Sequence, residues 1–244
     1  SECIIEIDKV KYRLCLFEYI EGNSFFDLGI IPNDNEIKEI IRQMANIHKQ
    51  QLNSEFIYDK WAIINFIEEF EDKKLYLNER DYKKLAKLLI LFKAIDIKKL
   101  PHTFTHGDII STNVMKDNNG KLWIIDFAVS NYLPRIVDLA VSSCNLCLNP
   151  DSIQGTKRKI KMLLKEYEKY NKLTDYEKEV FPIFFDIANA MGILQISYLI
   201  SLGEASDEDK FWYNESEKGL EFSNNNFWNG IFEEDEIERL KSFL

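Results

Sequence analysis

Glycine, proline and cysteine are all scarce in this chain of 244 residues, which has 9, 5 and 4 of them. Collagen-like and low-complexity proteins are rich in glycine and proline, so the composition excludes both classes. Four cysteines in a chain of this length do not form a disulfide scaffold. The remaining composition, 45% hydrophobic and 30% charged, is typical of a globular protein with one large core.

Signals for a membrane or for secretion are also missing from the sequence. No apolar run has the length needed to span a bilayer, so we expect no membrane partner. The first residues lack a basic segment followed by a long apolar one, so they do not predict a signal peptide. We therefore expect a cytoplasmic protein.

Positive charge is scarce as well, and the formal net charge is −10. A protein that binds nucleic acid would have a basic patch, and the one dense basic run, residues 157–161, is interpreted as a solvated helix face. We expect no nucleic-acid partner. Residues 204–244 contain 12 acidic and 4 basic side chains. This excess indicates either attraction for a cationic substrate or only a soluble surface.

The most informative stretch has the spacing H-G-D-x-x-x-x-N, with His106, Asp108 and Asn113 at its defined positions. A short apolar run then ends at Asp126. Residues 116–121, between the two motifs, contain an Asn-Gly pair that predicts a β-hairpin turn. Such a hairpin would bring Asp126 back to the neighbourhood of Asn113.

This set of side chains suits phosphoryl transfer to a hydroxyl group. The reaction needs a carboxylate to accept the hydroxyl proton and oxygen ligands to hold Mg²⁺ on the phosphates of ATP. Kinases combine H-x-D-x-x-x-x-N with a later D-F-G, and here Asp126 is followed by Phe127 and Ala128. We assign Asp108 as the base and Asn113 and Asp126 as metal ligands. The alternative is a chance H-G-D turn beside a buried hairpin.

These motifs, together with the segment 134–140 that contains Asp138, resemble the aminoglycoside phosphotransferase and choline kinase-like family, which includes homoserine kinases. The resemblance implies an α+β, mostly helical fold of the protein kinase type. It also implies ATP or GTP with Mg²⁺ as cofactors, and transfer of the γ-phosphate to a small molecule. We expect the end of the N-terminal lobe and the hinge in residues 1–22, and the helical C-terminal lobe in residues 23–244.

By the same resemblance, the end of the second strand of the first β-hairpin, residues 16–22, is the hinge between the two lobes. We predict the hairpin from strands at Cys3–Ile7 and Tyr12–Tyr19. In such kinases the hinge backbone binds the adenine edge, which implies the carbonyl of Glu18 and the N–H of Ile20. The alternative is an edge strand that happens to end near Gly22.

Several kinase elements that normally precede the hinge are missing from this sequence. These are a glycine-rich loop over the phosphates, a strand lysine that binds them and a helix glutamate that pairs with the lysine. The chain is either the C-terminal portion of a longer kinase or one that has lost most of a lobe. The apolar start at residues 3–5 favours the first. We expect this segment alone to bind ATP–Mg²⁺ poorly, and a catalytically silent binding or assembly module remains the second hypothesis.

The resemblance gives structural roles to two residues near the base. His106 is expected to hold the catalytic loop, and Asp138 to start a helix and tie down the loop behind the site. Gly107 and Ile110 occupy positions where Ser/Thr protein kinases have basic residues, which favours a small-molecule substrate. An amino-bearing alcohol suits the acidic C-terminal part, but an aminoglycoside, homoserine and choline stay equally open. The oligomeric state stays open too.

Helical periodicity covers most of the remaining sequence. The predicted helices are Glu36–Gln50, Asp59–Asp72, Glu79–Ile95, Ser152–Leu173, Asp175–Leu202, Trp212–Phe222 and Glu233–Phe243. The helix Asp175–Leu202 is apolar nearly all round, which predicts a buried central helix. Its polar exceptions, Asp186, Asn189 and Gln195, are predicted to be hydrogen-bonded inside the core or to face the substrate cleft.

Two residue types that suggest metal or redox chemistry are interpreted as packing residues. His48 has no second histidine or cysteine at ligand spacing, so we expect a packed or capping side chain. Cys144 and Cys147 form a C-x-x-C pattern, but they continue a helical apolar stripe. We predict that both are buried thiols.

Overall fold

The computed structural model describes residues 2–52, 55–149, 151–223 and 226–233. The chain begins with an antiparallel hairpin of β1 (Glu2–Ile7) and β2 (Val10–Cys15). Both turn residues, Asp8 and Lys9, have positive φ, which matches the twist of a two-residue hairpin. The hairpin is as predicted, but β2 ends well before Tyr19. The residues after Cys15 leave the strand because no neighbouring strand pairs with them in the described chain.

Two small antiparallel sheets hold the motif-bearing loops. In the first, β5 (Val114–Asp117) pairs with both β3 (Gly22–Ser24) and β6 (Leu122–Ile124). In the second, β4 (His102–Thr105) pairs with β7 (Asn131–Pro134). The loop between β4 and β5 contains the H-G-D motif, and the loop between β6 and β7 contains Asp126. The sheets therefore bring both motif loops to the same side of the fold.

Helices form the rest of the described chain. In order, they are α1 (Phe25–Leu28), α2 (Asp34–Ile47), α3 (Phe66–Lys73), α4 (Glu79–Lys93), α5 (Ile136–Leu146), α6 (Ile153–Glu168), α7 (Asp175–Leu202) and α8 (Asp207–Ser223). Helix α7 packs against α3, α4, α5 and α8 and lies at the centre of the core. The predicted helix at 233–243 lies outside the described residues, apart from Glu233.

Helix α7 has the predicted bounds because its ends carry clear signals. The hydroxyl of Thr174 accepts the backbone N–H of Glu177, the carboxylate of Glu177 accepts the backbone N–H of Thr174, and Gly203 ends the helix with φ of 73°. Among the described helices, α7 alone is long and apolar enough to cross a membrane, so the expectation of no such run was wrong. Because 61% of that stretch is buried inside the protein, α7 is a core helix.

Helix α3 begins later than the sequence periodicity predicts. The segment from Asp59 to Ala62 forms a turn instead, in which Asp59 accepts a hydrogen bond from the backbone of Trp61 over 3.0 Å. Such a side-chain bond competes with helix formation, as aspartate commonly does. A short 3₁₀ turn, Ile63–Asn65, then leads into the helix. The predicted start at Asp59 was therefore wrong, and Asp59 and Trp61 lie in a loop.

Candidate active site

Asp108 and Asn113 lie in direct contact in the loop between β4 and β5. The Asn113 amide donates to a carboxylate oxygen of Asp108 over 2.7 Å and to its backbone carbonyl over 3.0 Å. Gly107 precedes them with φ of 88°, in a region that favours glycine, and an added Cβ would press on the backbone of Val129. The loop therefore needs this glycine to turn Asp108 towards Asn113.

The hairpin of β5 and β6 brings Asp126 next to the same pair. Val114 lies opposite Ile124 in the register, and the N–H of Ile125 donates to the carbonyl of Asn113 over 3.0 Å. Asp126 follows immediately, with a positive φ of 64° and an exposed carboxylate that accepts the N–H of Ala128. The structure thus brings Asp108, Asn113 and Asp126 together at one place.

Asp108 is a partly buried carboxylate with an altered acidity. Burial raises the pKa of Asp108 above its ordinary value of 3.8, although the hydrogen bond from Asn113 acts in the opposite direction. The nearby carboxylates of Asp59 and Asp126 raise the pKa of Asp108 further. A raised pKa increases the proton affinity of the carboxylate, which suits a group that must take a proton from a hydroxyl.

His106 is engaged by backbone groups on both sides of its ring. Its Nε2 lies 3.0 Å from the carbonyl of Ile125, and its Nδ1 accepts the N–H of Asp108 over 3.2 Å. A carbonyl can only accept and an N–H can only donate, so the proton is on Nε2. His106 thereby links the loop of Asp108 to the strand that leads to Asp126.

Asp138 is fully buried in the first turn of α5 and ties down the same loop. Its carboxylate accepts the N–H of His106 over 2.9 Å and the N–H of Gly107 over 2.7 Å, and the ring of His48 contacts it at 2.9 Å. Burial alone would raise the pKa of Asp138, but His48 and these backbone donors hold it below 3.8. The hydroxyl of Tyr167 lies 2.6 Å from the other nitrogen of His48.

A large cavity opens beside Asp108, with a volume of about 740 Å³. Its lining includes Asp59, Trp61, Ser111, Trp212 and Glu215. No lysine or arginine occurs among the described residues that line it. Carboxylates and aromatic faces without basic side chains favour a positively charged ligand.

The family model of the phosphotransferase enzyme family matches residues 5–171, which is more than half of the chain. The chain belongs to this family. The match confirms the resemblance drawn from the sequence motifs. It extends from within β1 to just past α6 and contains every residue that the sequence assigned as base, metal ligand, adenine contact or structural support.

Several known proteins similar to this chain are small-molecule kinases. A homoserine kinase from Methylobacillus flagellatus is 25% identical over 113 residues, which cover 46% of this chain and 35% of the relative. A choline/ethanolamine kinase family protein from Mesorhizobium loti has a TM-score of 0.61 and 14% identity, covering 98% of this chain and 75% of that one. Choline kinase LicA from Streptococcus pneumoniae has a TM-score of 0.60 and 15% identity, covering 91% and 74%. These structures confirm the kinase-like α+β fold.

The segment predicted to be the hinge contrasts with the rest of the site. Glu18 is exposed and Ile20 is partly exposed, and in the described chain neither the carbonyl of Glu18 nor the N–H of Ile20 has a hydrogen-bond partner. Both groups are thus available to a ligand, as adenine binding would require. Their role, and the division of the chain at residue 22, stay predictions.

The sequence did not single out two of the cavity residues. Asp59 was assigned to a helix, but it lies in a turn that lines the same cavity as Asp108, and contacts with distant residues hold that turn. Ser111 lies inside the H-G-D-x-x-x-x-N motif, at one of its unspecified positions. It is 7% exposed, and its hydroxyl has no partner among the described residues.

Cys147 is buried, as predicted, whereas Cys144 is only partly buried and lines the cavity. Burial raises the pKa of the Cys147 thiol to about 12 and that of Cys144 well above its ordinary value. Such thiols remain protonated and are poor nucleophiles and metal ligands. The described residues contain no cluster of three or more histidine, cysteine or acidic side chains that could hold a metal ion.

Proposed function

We propose that this phosphotransferase moves the γ-phosphoryl group of ATP to a hydroxyl group of a small, amino-bearing molecule. The observation that carries the proposal is the contact of Asp108 with Asn113, beside Asp126 and at the edge of the cavity. Asp108 is the proposed base, and the cavity is the proposed acceptor site. Membership of the phosphotransferase family supports the reaction class.

The proposed reaction needs only one proton acceptor from the protein. As the acceptor oxygen attacks the γ-phosphorus, its proton passes to the carboxylate of Asp108. A new oxygen–phosphorus bond forms, the bond to the β-phosphate oxygen breaks, and ADP leaves with the bonding electrons. Water then removes the proton from Asp108.

The residues near Asp108 fit a magnesium ion by their chemistry. Asn113 uses its amide nitrogen to bind Asp108, which leaves its carbonyl oxygen free for a cation. Asp126 offers an exposed carboxylate with one oxygen bonded to Ala128. Oxygen ligands of this kind suit Mg²⁺, which would neutralise charge on the phosphates when bound. Asn113 and Asp126 are therefore the proposed metal ligands.

Solved relatives support a nucleotide as the phosphoryl donor. LicA has been crystallised in complex with AMP, and the amicoumacin kinase hAmiN with AMP-PNP and Ca²⁺. The free backbone groups of Glu18 and Ile20 are the proposed adenine contacts in this chain. ATP rather than GTP, and a cytoplasmic location, are part of the proposal.

An acceptor screen tests this function in the full-length protein. Homoserine, choline, ethanolamine and an aminoglycoside are supplied with ATP and Mg²⁺, and ADP release and the mass of the product are measured. We expect acceptor-dependent ADP release and a product heavier by one phosphoryl group, both lost in Asp108→Asn. ADP release that no acceptor stimulates, or that survives in the variant, would favour a silent module or a different reaction.

A further inference from the structure

The turn that contains Asp59 is held in place by buried polar side chains on both sides. Before Asp59, Asn131 binds the backbone of Ile57 twice, at 2.8 and 3.0 Å. After Asp59, Gln195, which is 2% exposed, donates to the carbonyl of Lys60 over 2.6 Å. The turn is therefore fixed at both ends by residues from β7 and α7.

A buried carboxylate connects these supports. Glu69 accepts the hydroxyl of Tyr58 over 2.6 Å and the amide of Gln195 over 2.7 Å, and it also pairs with Lys73. Buried polar groups cost free energy unless they are fully paired, so a network of this kind rigidifies what it binds. The network explains why Gln195 lies in the apolar helix α7: it orders the exposed turn rather than facing the cleft.

Asp59 is bonded only to a backbone N–H, whereas the other carboxylates of the cavity lining, apart from the proposed base, are bonded to side chains of the described residues. Among the described residues, the Asp59 carboxylate accepts one hydrogen bond, from the backbone N–H of Trp61. Asp209 is bonded to both the backbone and the hydroxyl of Ser206, and Glu215 is paired with Lys218. Asp59 thus retains a free oxygen on a rigid support.

A second, independent feature of the cavity indicates a polar ligand. The hydroxyl of Ser111 is buried without a partner among the described residues, although Ser111 lines the cavity. A buried hydroxyl of this kind normally has a partner, and a ligand in the cavity can provide one. Asp59 and Asp108 line the same cavity, so one ligand in it can contact both carboxylates.

We propose that Asp59 and the ring of Trp61 bind the positively charged nitrogen of the acceptor and position its hydroxyl group at Asp108. This inference rests on the proposed function and extends it, because it makes Asp59 the residue that selects charged acceptors at the same site. A cation between Asp59 and an aromatic face gains both an ion pair and a cation–π contact. It also offsets the repulsion between the carboxylates of Asp59 and Asp108.

Ligand pairs that differ only in charge provide the test. Choline and 3,3-dimethylbutan-1-ol have the same shape, and phenylalaninol and 2-methyl-3-phenylpropan-1-ol form a second pair with a larger apolar body. Dissociation constants are measured by calorimetry for the wild-type chain, for Asp59→Asn and for the control Asp96→Asn. Asp96 is exposed and lies outside the cavity lining, so the control removes the same charge elsewhere.

We expect the wild-type protein to prefer the charged member of at least one pair. Asp59→Asn should weaken that ligand about tenfold and leave its neutral partner within twofold, because a charge-assisted contact is lost. Asparagine keeps an oxygen for the N–H of Trp61, so the unfolding temperature should not change. Asp96→Asn should bind all four ligands as the wild type does.

The proposal is overturned if both pairs bind without charge preference, including the case in which no ligand binds. It is also overturned if Asp59→Asn weakens the two members of a pair by the same factor. A third result would show instead that the proposed function is wrong while the binding role of Asp59 is right. It would leave charge-selective binding at Asp59 intact, but the full-length wild-type protein would release no ADP in response to the bound acceptor.

Discussion

The proposed acceptor side of the candidate site is held by buried hydrogen bonds, whereas the proposed nucleotide side is an exposed stretch of chain. Asp138 fixes the loop of Asp108 from inside the core, and the network of Glu69 and Gln195 fixes the turn of Asp59. In contrast, the side chain of Phe17, in the predicted hinge, is 82% exposed. We therefore expect that substitutions in the exposed segment can change nucleotide binding without changing acceptor binding or the stability of the fold.

The largest expected effect concerns turnover. In the full-length protein, Asp108→Asn should lower kcat by about a thousandfold or more, because the general base is lost while the contact with Asn113 can be kept. Acceptor binding should change little, since the cavity walls remain. The measurement is ADP release at saturating substrates, with the unfolding temperature as a check on the fold. Unchanged turnover would remove Asp108 from the role of base.

The next effect concerns stability on the rigid side. Asp138→Ala should lower the free energy of unfolding by about 3–5 kcal/mol, because the buried N–H groups of His106 and Gly107 lose their acceptor and His48 loses its partner. Chemical denaturation measures this. Asp117→Ala is the matched control, because Asp117 also accepts two backbone N–H groups but does so in an exposed turn. Equal losses of unfolding free energy in Asp138→Ala and Asp117→Ala would contradict the stabilising role of the buried Asp138.

The acid dependence of stability should also distinguish the fully buried Asp138 from the partly buried Asp108. Asp138 has a lowered pKa, so its stabilisation is fully present above the ordinary value of 3.8 and is lost as the pH falls through the lower folded value. Asp108 has a raised pKa, so its ionisation destabilises the fold as the pH rises above 3.8. The free energy of unfolding of Asp108→Asn, relative to that of the wild type, should therefore increase as the pH rises from acid to neutral. Denaturation curves at several pH values give the slopes, and parallel slopes would contradict this.

The smallest effect is expected in the proposed hinge. Phe17→Ser should change the free energy of unfolding by less than about 0.5 kcal/mol, because the side chain makes little buried contact. Phe92→Ala, in the core on α4, is the contrasting variant and should cost about 3–5 kcal/mol. A large loss for Phe17→Ser would show that the hinge segment packs against the fold after all.

Local signals in the sequence predicted much of this molecule. The Asn-Gly turn predicted the hairpin that brings Asp126 to Asn113, and the capping box at Thr174 predicted the start of α7. The position of Asp59 was not predicted, because the helical periodicity of the following residues was extended back over residues 59–62, which form a turn. Hydrogen bonds from Asn131 and Gln195 hold that turn in place. Both residues lie far along the chain, so no local sequence pattern predicts these contacts.

The contact of His48 with Asp138 is a second case in which local sequence predicted the burial of a residue but not its distant partner. The sequence predicted a packed or capping histidine at the end of a helix, and His48 is indeed buried at the C-terminus of α2. Its partner lies 90 residues further along the chain, which periodicity cannot reveal. The kinase motifs supplied the roles of Asn113 and Asp126, and family resemblance supplied those of Glu18 and Ile20. All four roles stay predictions.

The most direct test of the account is a crystal structure of the full-length protein with Mg²⁺ and a non-hydrolysable ATP analogue. The account predicts a metal ion coordinated by the side-chain oxygens of Asn113 and Asp126, with Asp108 facing the acceptor cavity. Metal held by other side chains, or phosphates located away from Asp108, would contradict it.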